Sequence, residues 1–173
     1  VPYIALDFDV PRRLADAATP SAFRAHLATV HAAAAEAQAR MAQELGLQAL
    51  LEDSGGKGRH LWLLLQTPVD GAVAHAFVVA LVAWLRVPDG VHIEGFPKQA
   101  RASAGGLGNL IKLPLGVHLK TGRRSVFLDG DQPVRDPWTL LRDAPRTSRE
   151  ALDAALETIR RSPPPPSPRR ADA

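Results

Sequence analysis

Two acidic residues on one apolar strand, and a glycine-rich turn feeding a second apolar strand, are the parts of this chain whose types and spacing can do chemistry. In Ile4-Ala5-Leu6-Asp7-Phe8-Asp9-Val10, residues two apart point to one face of a strand. Asp7 and Asp9 therefore present adjacent carboxylates while Leu6, Phe8 and Val10 turn into a core. Adjacent carboxylates suit hard divalent cations, above all Mg2+ or Mn2+, which take oxygen ligands and keep water or substrate phosphate in the other positions. In Ser54-Gly55-Gly56-Lys57-Gly58-Arg59-His60, the glycines let backbone N–H groups approach an anion, and Ser54 and Lys57 add a hydroxyl donor and a positive charge. His60 stands at the mouth of Leu61-Trp62-Leu63-Leu64-Leu65. The pair reads as a metal site beside a phosphate site. The turn is not a Walker A loop, because its spacing differs and a strand follows it.

A third segment, Val91-His92-Ile93-Glu94-Gly95-Phe96-Pro97-Lys98-Gln99, ends an apolar strand on Glu94, a candidate to complete a carboxylate trio. A fourth, Gly105 to His118, carries Asn109, Lys112 and His118, with Lys112 expected to project from a strand towards a phosphate as a point charge. Each motif alone has a plainer reading: solvated carboxylates at a strand end, an ordinary glycine hairpin with a polar histidine, a surface lysine. A lone Asp-x-Asp also fits a haloacid-dehalogenase-like phosphatase. Val10-Pro11 match that pattern poorly, and no later paired acidic motif follows.

The elements that must position these residues are legible from periodicity. Thr19-Pro20-Ser21 starts a helix that runs to Leu45, with Phe23, Leu27, Val30 and Met41 at helical spacing and Gly46 as its stop. Leu47–Glu52 and Arg59–Gln66 read as strands joined by the glycine turn, and Asp70 caps a helix to Leu85. Val91–Gly95 reads as the fourth strand. Strand, helix, strand, strand, helix, strand is the split βαβ order of ferredoxin-like and RNA-recognition-motif folds, so an α+β class is expected. In that order, strands one and four are not required to be direct neighbours. Gly108–Leu115 and Ser125–Leu128 read as extra strands, and Pro137–Arg142 with Ser148–Arg160 as closing helices.

At 173 residues the chain supports one core, and a single catalytic unit over 1–161 is expected, followed by a proline-rich linker over 162–173. Val1 is not a start methionine and the first strand begins almost at once, so further domains of the same polypeptide are expected. No apolar run reaches the length of a membrane span and no signal-peptide pattern is present. Zero cysteines exclude disulfides, zinc ribbons and thiol catalysis, and fit the expected cytoplasmic location. The net charge of +3 is modest, but Lys98, Arg101, Lys112, Lys120, Arg123 and Arg124 crowd one stretch where a polyanion could be held.

Taken in order, Asp-Phe-Asp, Ser-Gly-Gly-Lys-Gly-Arg-His, Glu-Gly-Phe-Pro-Lys-Gln and Gly-Asn-Leu-Ile-Lys-Leu-Pro-Leu-Gly-Val-His resemble the archaeo-eukaryotic primase superfamily. The resemblance is closest to bacterial primase-polymerases of CRISPR-associated and conflict-system proteins, and runs from about residue 3 to 138. It implies that Asp7, Asp9 and Glu94 together hold two divalent ions. It also implies that Ser54, Gly56, Lys57 and His60 bind the triphosphate of an incoming dNTP or NTP, and that Lys112 contacts phosphate. Lys98, Asn109 and His118 fall in recognisable nucleotide-site positions. Glu94 stands where many relatives carry Asp, which keeps the charge, and the usual segment before the first motif is nearly absent. The implied reaction is nucleotidyl transfer to a 3′-hydroxyl on single-stranded DNA template and primer.

Two other classes compete with that expectation. One is a non-catalytic single-stranded nucleic-acid-binding module, which usually offers exposed aromatics for base stacking. Aromatic residues make up only 5% here, and Phe8, Trp62 and Phe77 are better assigned to the core. The other is a metal-dependent nuclease or phosphohydrolase, which the triphosphate turn disfavours.

Overall fold

The computed structural model describes residues 1–101 and 110–162. Alternation along the first strand does what its pattern requires. On β1 (Tyr3–Asp9), Ile4, Leu6 and Phe8 are buried on one face, and Asp7 and Asp9 stand part-exposed on the other. A short helix, α1 (Arg12–Ala17), follows Pro11 and was not anticipated. Its six residues carry no apolar stripe beyond Leu14 and Ala15, so periodicity had nothing to detect.

The long helix α2 (Pro20–Leu45) begins with Pro20 at its first position and with Thr19 Oγ1 accepting from Ala22 N at 3.3 Å. It ends at Gly46 in the left-handed region. Val30, Ala33, Ala34, Ala37 and Met41 form its buried stripe. β2 (Leu50–Asp53) and β3 (Gly58–Leu64) form the hairpin about the glycine turn. α3 (Gly71–Leu85) is capped by Asp70, which accepts from Ala72 N at 2.7 Å, and buries Ala74, Phe77, Val78 and Leu81. β4 (His92–Phe96) completes the split βαβ unit. β5 (Val126–Asp129), β6 (Gln132–Pro133), α4 (Pro137–Asp143) and α5 (Arg149–Arg161) extend it.

All six strands form one antiparallel sheet in the order β4-β1-β3-β2-β5-β6. The α+β class and the split βαβ core stand as expected, and the neighbour relation left open by that order is settled: β1 and β4 pair directly, placing Asp7 opposite Glu94. Gly108–Leu115 is also corrected, in so far as it is described. Residues 110–115 are irregular and end in a turn, and the place beside β2 is taken by β5. Pro114 has no N–H to donate to a ladder, and Leu115 has φ 62, which no strand residue adopts. Lys112 therefore projects from an irregular segment and not from a strand.

One face of the sheet carries the main core against α2, α3 and α5, built on Ile4, Leu6, Phe8, Leu61, Leu63, Phe77 and Leu81. The other face is divided. At one end Ala5, Trp62, Phe96 and Phe127 form a second apolar cluster under Ile111, Leu115, Leu140 and Leu141. At the other end the same face turns polar.

Candidate functional site

The polar half of that face is a row written by strand register. Asp7 lies opposite Glu94 on one side and His60 on the other, and His60 lies opposite Glu52 on β2. Directly opposite residues on antiparallel strands share a face, so four titratable side chains cross the sheet side by side. Asp9 occupies the next same-face position beside Gly58. A methyl group at Gly58 would fall 2.0 Å from the Phe8 carbonyl oxygen and 2.4 Å from Asp9 Oδ1, so only glycine lets the turn close on the carboxylate.

A cleft of about 240 Å3 opens over this row, lined by Ser54, Lys57, His60, Lys98, Lys112 and His118, with His118 packed against the glycine turn. Lys57 is pinned at the end of β1, its Nζ donating to Val10 O at 2.9 Å and pairing with Asp9 Oδ2 at 3.3 Å. Lys98 pairs with Glu94, which also lies 3.5 Å from His92 Nε2. Lys112 Nζ donates to Ser125 Oγ at 2.8 Å. A second lobe, of about 480 Å3, lies across the carboxylates and is lined by Arg12, Arg13, Lys57 and His92. Asp7, Asp9 and Glu94 border both lobes.

The electrostatics follow from burial and neighbours. Burial raises the Asp7 carboxyl from 3.8 to about 6; Asp9 and Glu94 push it the same way, and His60 and Lys57 oppose them. A hydrogen bond from Lys98 is the main reason Glu94 is held below the usual carboxylate range. Glu52 is fully buried, which alone would raise it. Hydrogen bonds from His60, Ser125 and Trp62 outweigh burial and lower it, keeping the group ionised.

Asp7 and Asp9 supply hard oxygen donors on one face, the donor chemistry that Mg2+ or Mn2+ takes. Among the described residues no trio of ligating side chains has already converged on one point, since Glu94 is turned to Lys98 and His92. The donor types fit a divalent cation, and Glu94 would have to exchange Lys98 for it.

Of the residues singled out from sequence, the fold brings Asp7, Asp9, Glu94, Ser54, Lys57, His60, Lys98, Lys112 and His118 to one cleft. Gly56 lies behind the wall, where an added methyl would sit 2.8 Å from His118 Nε2. Its N–H donates to Ser54 Oγ at 3.2 Å, and that of Gly55 to Asp53 Oδ1 at 2.7 Å. These two amides are thus satisfied within the turn. Asn109 lies outside the described residues. Glu52 was missed. A hairpin centred on Gly56 pairs positions equally distant on either side, and that symmetry alone places Glu52 opposite His60.

This antiparallel sheet, with acidic residues on β1 and β4 beside a serine–glycine–histidine turn between β2 and β3, is consistent with an archaeo-eukaryotic primase fold. The family model for the archaeo-eukaryotic primase domain of TOTE conflict systems matches residues 1–155, and the chain belongs to that family. It is thereby a primase-like domain of the nucleotidyltransferase superfamily, whose members generally use divalent metals and act on nucleotides and DNA. Comparison with curated proteins gave no match. Among the described residues no helix is long and apolar enough to cross a membrane.

Proposed function

We propose that this domain is a template-directed DNA primase-polymerase, which adds nucleotides to a 3′-hydroxyl and starts primers on single-stranded DNA. The observation that carries the reading is the register at Asp7, which sets two carboxylates and a histidine side by side at the mouth of a cation-lined cleft. Asp7, Asp9 and Glu94 would hold two Mg2+ or Mn2+ ions, which supply activation of the attacking hydroxyl and neutralisation of the triphosphate. Ser54, Lys57, His60, Lys98, Lys112 and His118 bind and orient that triphosphate, with Gly56 and Asn109 shaping the same site. In-line displacement needs the attacking and leaving oxygens on opposite sides of the α-phosphate. With the triphosphate in the lysine-walled lobe, the hydroxyl enters from the lobe of Arg12, Arg13 and His92, where the guanidinium groups can hold primer phosphates. No protein nucleophile is needed; the chain supplies position and charge.

The stacking-module alternative loses support on the same face, because Trp62, Phe96 and Phe127 are buried in the second cluster. The catalytic unit on this reading is 1–161, with 162–173 as a linker to further domains of a cytoplasmic conflict-system or CRISPR-associated polypeptide.

The test is incorporation of labelled dNTP or NTP on a single-stranded DNA template, with and without primer, in Mg2+ and in Mn2+, beside the Asp7→Ala/Asp9→Ala protein. Metal-dependent products lost in the variant support a polymerase, and products without primer support a primase. Absence of both product and triphosphate binding would overturn the reading.

A further inference from the structure

We propose that Glu52 is the positioning residue of the nucleotide site: its buried carboxylate holds His60 with Nε2 towards the cleft and anchors the segment that carries Lys112 and His118. The inference rests on reading the cleft as a nucleotide site. Glu52 is 0% exposed. Its Oε2 lies 2.7 Å from His60 Nδ1 and accepts from Trp62 Nε1 at 2.8 Å; its Oε1 accepts from Leu115 N at 3.1 Å.

An ionised carboxylate can only accept, so Nδ1 must carry the hydrogen in this pair. The opposite ring nitrogen, Nε2, lies 3.6 Å from Asp7 Oδ1 and is the one presented to the cleft. The third bond acts on backbone. Leu115 sits at φ 62, a conformation leucine holds only when its surroundings impose it. Glu52 takes its N–H, and Arg124 Nη1 donates to its carbonyl at 2.6 Å. Lys112 and His118 lie three residues to either side of this pinned point. One carboxylate thus fixes both the ring and the strap, and both line the cleft.

Glutamine at this position cannot satisfy the same donors. With its single oxygen facing His60 and Trp62, its amide meets the Leu115 N–H. With the oxygen facing Leu115, the amide meets Trp62 Nε1 and donates to His60 Nδ1, forcing the hydrogen to Nε2.

Nitrogen-15 spectra of the neutral His60 ring are expected to show the Nδ1–H tautomer in the wild type. In Glu52→Gln, the tautomer should shift towards Nε2–H or the Lys112 segment should detach. Affinity for a non-hydrolysable dNTP should then fall about 10- to 100-fold, the size of effect that outer-layer partners of a ligand exert. The Glu52→Gln/His60→Ala double variant should lose less than the two single losses added, because the part of the Glu52 effect that acts through the ring is already gone with His60. It should lose more than His60→Ala alone, because the part that acts through Leu115 remains. An Nε2–H tautomer in the wild type overturns the proposal, and that spectrum needs no substitution to fold. Unchanged tautomer and unchanged triphosphate affinity in Glu52→Gln overturn it equally. Failure of the wild type to bind triphosphate would instead count against the nucleotide reading, while the tautomer still decides whether Glu52 sets the ring.

Discussion

Asp7 and Glu94 are cross-strand partners in the antiparallel register of β1 and β4, and they share the face on which Asp9 also stands. Residues 87 positions apart thereby form one acidic edge. Three anionic groups on one partly desolvated edge repel each other and favour a proton or a cation between them.

Asp7 should make stability depend on pH. Its folded value of about 6 lies above the ordinary 3.8, so the native state holds this proton more tightly than the unfolded chain does. The cost of ionising it is absent below about pH 4, grows through the interval up to about 6, and is complete above it. The gap corresponds to about 3 kcal/mol. Asp7→Asn should therefore be more stable than wild type in EDTA near pH 8 and nearly equal near pH 4, read by guanidinium titration. Added Mn2+ should narrow the difference by stabilising only the wild type. A wild type more stable than the variant in EDTA at the higher pH would contradict the account.

Gly58→Ala should damage fold and site together, because the new methyl meets the Phe8 carbonyl and Asp9 Oδ1. A loss of about 2 kcal/mol or more is expected in thermal unfolding, with weaker Mn2+ binding. Gly46→Ala is the matched control. Nothing lies within 4 Å of its methyl, and its φ of 66 predicts only the left-handed strain of a helix end, about 1 kcal/mol, with metal binding intact.

Lys98→Met should free Glu94. The lysine both competes for that carboxylate and repels an incoming cation, so its removal should tighten Mn2+ binding in a calorimetric titration while raising the KM for nucleotide. Weaker Mn2+ binding would show that Lys98 supports the ligand and does not compete for it.

Arg12→Ala/Arg13→Ala should separate the two lobes. Both residues are exposed, and the Arg12–Asp16 pair is solvent-bathed, so stability should change little. Affinity for a recessed primer-template, followed by fluorescence anisotropy, should drop and become less salt-sensitive, with nucleotide KM unchanged. The reverse pattern would exchange the roles of the lobes.

Much of the site was legible because it depends on short-range periodicity. Asp7 and Asp9 share a face whatever the sheet looks like, and the turn from Ser54 to Gly58 announces itself by composition. Glu94 was identified as a candidate, but its adjacency to Asp7 depends on strand order, which no local pattern encodes. Glu52 escaped because a lone acid beside Asp53 resembles a solvated strand end; its burial comes from Trp62 and Leu115, residues 10 and 63 positions away. The run Leu110 to Leu115 misled because Ile111 and Leu115 cover the second cluster without joining a ladder. Apolar spacing alone does not distinguish a cover from a strand.

Among the described residues, β4 lies at one edge of the sheet and pairs with β1 alone. The third acidic group is thus delivered by a border strand, whereas Asp7 and Asp9 sit one strand further in. Separation of that border strand breaks the acidic trio while β1, β3 and β2 stay joined. On gradual heating, the acidic trio should therefore come apart first, with far-UV circular dichroism registering little until the interior strands follow.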